Sequence, residues 1–141
     1  MKKFLDIISL TKNQKDEKKR LRELAYFQIA RVHFGSQQPN QALFYYDKID
    51  QSSWNLPEAI YESGWAHYRL GNYGKALGNL ISLHSPFFVD FPFPESHILE
   101  AVIYYENCHY EHSAAIINDF TKKYQAVVKS LEKKVENEDP T

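Results

Sequence analysis

Cys108, His109 and His112 are the tightest grouping of metal-ligating residue types in the chain. Their spacing does not match a zinc module, and no fourth ligand stands nearby, so they read as the residues of a turn. His33 and His67 lie 34 residues apart and are expected to pack between helices. Glu58, Glu62, Glu95 and Glu100 fall at the starts or faces of expected helices, where the helix dipole and solvent account for them. The five glycines are scattered and form no phosphate-binding loop. No Ser, His and Asp set can be tied to a strand-to-helix elbow in a helical chain. No catalytic residue, metal or cofactor is therefore assigned, and the chain is not expected to be an enzyme.

The 141 residues suit one compact domain, long enough to bury a core without disulfides or metal. Apolar residues make up 43% and charged residues 25%, the balance of a globular protein, while the aromatic share of 15% is high. Aromatic side chains give large contact areas to cores and interfaces alike. A formal net charge of −1 provides no global field for nucleic acid. The run from Lys12 to Arg22 holds six basic residues but also Asp16 and Glu17, and reads as a solvated helix start; weak contact with phosphate or a membrane surface is the other reading. One cysteine excludes an internal disulfide and leaves the redox compartment open. No apolar stretch is long enough to span a membrane. The N-terminal residues Met1 to Leu10 begin like a signal peptide, but Asp6 interrupts them and no small-residue cleavage site follows. A cytoplasmic protein is expected, or a periplasmic one if the chain is a piece of an exported protein.

An internal repeat organises the chain. Tyr61 to Leu80 reads YESGWAHYRLGNYGKALGNL, with Gly64, Tyr68, Leu70-Gly71-Asn72-Tyr73 and Ala76 in the order of a tetratricopeptide-repeat (TPR) unit. Ala42 lies 34 residues before Ala76, among Tyr26, Ile29, Ala30 and Tyr46. Tyr110 lies 37 residues after Tyr73, with Ala101 and Tyr105 in the places of Gly64 and Tyr68. The chain resembles the TPR family over roughly residues 22 to 124, and its third unit is loosely similar to repeats of bacterial cell-envelope TPR proteins. It departs from the pattern at Gln37 and Cys108, which stand for the turn glycine, and at Ser113, which stands for the second-helix alanine; these leave the turn geometry open.

The resemblance implies an all-α fold: a TPR-like α-solenoid of about three helical hairpins with a long C-terminal helix. Small residues at Ala30, Gly64, Ala76 and Ala101 would let paired helices approach closely. Helices are expected at about 16–35, 39–51, 56–70, 73–84 and 95–107, and a sixth, long one from Glu111. Asp16 suits an N-cap, Pro39 and Pro57 suit helix starts, and Pro86, Pro92 and Pro94 forbid regular helix in the long connection. The expected organisation is an N-terminal segment 1–15, a TPR-like domain 16–124 with units at about 22–55, 56–92 and 93–124, and a helical extension with a frayed tail over 125–141.

In the TPR family the first helix of each unit lines a concave face. The resemblance then implies a groove of Leu24, Phe27, Arg31 and Phe34, then Tyr61, Trp65, Tyr68 and Arg69, then Ile98, Val102 and Tyr105. The positions that clamp a chaperone's C-terminal carboxylate in some TPR domains hold Phe27, Arg31, Glu62, Glu95 and Leu99 here, and four of the five do not suit that role. The groove suits an apolar helix or extended peptide of a protein partner, so a scaffold or adaptor is expected. Filling by the chain's own residues 1–12 or 124–136 and homodimerisation, or a place in a longer array, compete with that reading. Phe87, Phe88, Phe91 and Phe93 form either a plug over the join between the second and third units or an adhesive loop at the rim.

Overall fold

The computed structural model describes residues 1–11 and 16–138. Its helices are α1 (Lys2–Thr11), α2 (Asp16–Gly35), α3 (Pro39–Tyr46), α4 (Leu56–Arg69), α5 (Tyr73–Leu83), α6 (Pro94–Glu106) and α7 (Tyr110–Glu138), with a 3₁₀ turn over Pro86–Phe88 between α5 and α6. The fold is all-helical, with no strand among the described residues. None of the described helices is long and apolar enough to cross a membrane. Much of the run from Lys12 and the last residues of the tail lie outside the described residues, as does the side chain of Asp16.

The chain divides into two compact units, Met1–Phe93 and Pro94–Thr141. In the first, α2 packs on α3, α3 on α4 and α4 on α5. Its core gathers Phe27, Ala30, Ala42, Tyr46, Ile49 and Ala59, flanked by Tyr26, Phe34 and Tyr45. The second is the hairpin of α6 on α7.

Each hairpin turns in the same way. The N–H of Gln38, Asn72 and His109 donates to the carbonyl of His33, His67 and Tyr104, at 2.9 Å in every case. The N–H of Gln37, Gly71 and Cys108 donates to Phe34, Tyr68 and Tyr105. This pair of bonds is a Schellman motif, which satisfies the last carbonyls of a helix by turning one residue left-handed. That residue is Gln37, Gly71 or Cys108, at φ 59°, 71° and 61°. The departures from glycine therefore leave the turn geometry unchanged.

Small residues recur in the same register. Ala25, Ala59 and Ser96 are buried, as are Ala30, Gly64 and Ala101, and Ala42, Ala76 and Ser113. A Cβ on Gly64 would stand 3.4 Å from Leu80 Cδ2 and 3.9 Å from the Ala76 carbonyl, so α4 and α5 close to contact there. Asn79 Nδ2 ties the same crossing by donating to the Ile60 carbonyl at 3.2 Å.

Two elements differ from expectation. α3 ends at Tyr46, not near residue 51. The Asp50 carboxylate accepts from the Ser52 N–H and hydroxyl at 2.9 and 2.6 Å, a local turn that competes with helix. Those bonds, then Lys19 at 3.0 Å, hold Asp50 well below the usual carboxylate range. The N-terminal segment, to which no helix was assigned from the sequence, carries one, with Phe4, Ile7, Ile8 and Thr11 at helical spacing. α1 packs on α2, and Arg22 Nη1 donates to the Thr11 carbonyl at 2.8 Å, joining the two.

Candidate functional site

The expected groove residues of the first unit separate into a buried support and an open face. Phe27 is 2% exposed, a core residue packed edge-on against Tyr46 with ring centroids 5.9 Å apart. The Arg31 guanidinium lies 4.2 Å above the Phe27 ring. Phe27 cannot line an open groove, because the neighbour one turn on covers it.

Arg31 itself is engaged. Its Nε donates to both Glu62 oxygens at 2.8 and 3.1 Å, and its Nη2 donates to Glu58 and Glu62. The Tyr46 hydroxyl also donates to Glu62. One guanidinium thus holds two carboxylates and stitches α2 to α4. The bond to Glu62 raises the Arg31 pKa further, while burial and then its own hydrogen bond to Glu62 push the Tyr46 phenol well up.

The open face belongs to α4. Tyr61, Trp65 and Tyr68 fall at helical spacing on one side and stay half-buried. Trp65 meets Tyr68 edge-on at 5.8 Å, and Tyr68 meets Tyr73 at 6.0 Å. Tyr61 stacks on Phe93 at 5.2 Å. At the far end the Arg69 guanidinium lies 3.9 Å over the Phe34 ring and donates to the Phe34 carbonyl at 3.1 Å. Leu24 is exposed on α2.

In the second unit, Ile98, Val102 and Tyr105 share one groove of about 430 Å³ with Ile117 and Phe120 of α7. His97 sits at its end against Phe120 and Tyr124, with ring centroids 6.1 and 6.4 Å away, and burial then Lys123 lower its pKa.

The four connection phenylalanines do not act alike. Phe88 is buried and meets Phe87 edge-on at 4.9 Å, while Phe87 is 78% exposed. Phe91 packs edge-on against Trp54 at 5.0 Å, and Trp54 is 73% exposed. Trp54 escaped the sequence reading because it stands alone in a turn, outside any period. Glu58 and Glu62 escaped it because a helix-start carboxylate looks solvated until its partner 27 or 31 residues away is known.

No family model, curated protein or solved structure matches the chain.

Proposed function

We propose that the chain is a non-catalytic scaffold of TPR-like helical hairpins that holds an apolar helix or peptide of a partner protein. The three equivalent Schellman turns and the recurring buried small residues support the repeat reading. The observation that carries the binding reading is the α4 face, where Tyr61, Trp65 and Tyr68 are only partly buried. Tyrosine and tryptophan combine a large apolar body with a polar tip, so a folded chain can keep them at its surface and a partner can bury them. They are also the residue types that most often dominate binding energy. The Arg31–Glu58–Glu62 network beside them ties α2 to α4, which limits the ordering cost of docking.

A display library of amphipathic helical peptides, selected on the full chain, tests this reading. Apolar peptides are expected to enrich, and Tyr68→Glu, which puts a charge on the face beside Trp65, should remove their binding. Failure to enrich, or binders indifferent to Tyr68→Glu, would count against it.

A further inference from the structure

The hairpin of α6 and α7 carries a groove whose counterpart in the first hairpin is covered. Ile98, Ala101 and Tyr105 of α6 line it with Ser113, Ile117 and Phe120 of α7. Each stands 71 residues after a residue of the first hairpin: Phe27, Ala30, Phe34, Ala42, Tyr46 and Ile49, in that order. Phe27, Ala30, Ala42, Tyr46 and Ile49 form the core cluster of the first unit together with Ala59 of α4, and Phe34 packs against it. The same surface is therefore buried in one hairpin and open in the other. Phe27 is 2% exposed and Ile98 52%, while Tyr46 is 4% exposed and Ile117 53%. Small buried residues make the floor of both grooves, Ala30 and Ala42 in the first and Ala101 and Ser113 in the second.

A helix covers the first groove, and its contacts define the face that such a groove receives. Ala59 of α4 enters the cluster, and Glu62, three residues on, accepts from Arg31 and Tyr46. Glu58 accepts from Arg31 as well. In the second hairpin Val102 and Ile117 hold the places of Arg31 and Tyr46. Neither can pair with a carboxylate, and a buried carboxylate without a partner is costly. The second groove therefore calls for a helix with a small residue in the place of Ala59, an aliphatic residue in the place of Glu62, and no carboxylate in the place of Glu58.

We propose that the groove of α6 and α7 binds a helix of this kind from a partner protein, laid on the hairpin as α4 lies on the first one. Within the chain, α6 carries a fitting pair in Ser96 and Leu99, but both are fully buried, so a folded second copy does not present it. The inference rests on the internal repetition of the hairpins and does not require the α4 face to bind anything.

The test uses a dye-labelled peptide with the sequence of residues 55–71 and the changes Glu58→Gln and Glu62→Leu, titrated with the full chain and followed by fluorescence anisotropy. It is expected to bind at least about tenfold more tightly than the peptide that keeps both glutamates, which would bury a carboxylate against Val102 and Ile117. Ile117→Glu in the chain should weaken that binding by about tenfold or more, and since Ile117 is half exposed, far-UV circular dichroism should stay unchanged. Val102→Arg with Ile117→Tyr rebuilds the polar pair of the first hairpin and should reverse the preference between the two peptides. Binding of neither peptide at chain concentrations up to about 1 mM overturns the proposal, as does equal binding of both. So does a preference that the folded double variant leaves unaltered, or binding indifferent to Ile117→Glu. Loss of binding with Tyr68→Glu but not with Ile117→Glu assigns the peptide to the α4 face and overturns it too. Sedimentation velocity of the chain alone addresses the other occupant: a dimer that Ile117→Glu dissociates gives the groove to a second copy and overturns the partner helix.

Discussion

Gln38 and Asn72 occupy the same place in two successive hairpins, and the histidines beside them fare differently. The Gln38 Oε1 lies 2.7 Å from His33 Nδ1, which donates to it. Asn72 is one methylene shorter, and His67 Nδ1 is buried with no hydrogen-bond partner. Asn72 caps α5 without a side-chain bond, so replacing it sacrifices nothing there. Asn72→Gln is expected to stabilise the fold by about 1 kcal/mol, measured by chemical denaturation. Burial, and then the charge of Lys75, lowers the pKa of His67. The unfolded chain then takes up a proton before the folded one, so stability is retained above the ordinary histidine range of about 6.5 and declines as pH falls through it. Between about pH 7.5 and 5.5 the melting temperature should fall more in the unaltered chain than in His67→Gln, and equal slopes would contradict this. Arg31 is more than a third exposed, which limits what its ion pairs contribute. Arg31→Met is expected to cost about 1–2 kcal/mol, because Glu58 and Glu62 are left without their cation. The pairing of Arg31 with Glu58 and Glu62 was not legible in the sequence. It joins residues 27 and 31 positions apart, and only the packing of α2 on α3 and of α3 on α4 brings them together.

At the scale of elements, the hairpin turns were legible where their chemistry was overt. Gly71-Asn72-Tyr73 is a turn by composition, and Gly71 adopts the left-handed conformation that favours glycine. Gln37 and Cys108 carry no such mark, yet both adopt it, because the two backbone bonds of the Schellman motif and the packing of each hairpin outweigh about 1 kcal/mol of local strain. Gln37→Gly and Cys108→Gly should each stabilise by about 0.5–1 kcal/mol. Gly71→Ala should destabilise by about 1 kcal/mol, and since its Cβ would meet nothing within 4 Å, that cost is one of backbone conformation alone. The opposite signs in a thermal melt would refute the shared-turn account. The early end of α3 was illegible for a related reason: its residues are compatible with helix, and the turn around Asp50 and Ser52 wins through side-chain bonds that periodicity does not register.

At the scale of the whole molecule, the residues of the candidate face were only partly legible. A repeat register says which residues share a face, so it identified Tyr61, Trp65 and Tyr68 as one group. It does not say how deep a residue lies, so it placed Phe27 beside them although Arg31 covers its ring. The functional reading therefore rests on the α4 face. The chain has two tryptophans, and Trp54→Phe leaves Trp65 as the sole reporter of that face. A peptide selected on the full chain should shift and quench Trp65 emission on titration, with an affinity in the range of about 1–10 μM, and Tyr68→Glu should abolish the change. A peptide that binds while Trp65 emission stays constant, or that binds the Tyr68→Glu chain equally well, would contradict the account.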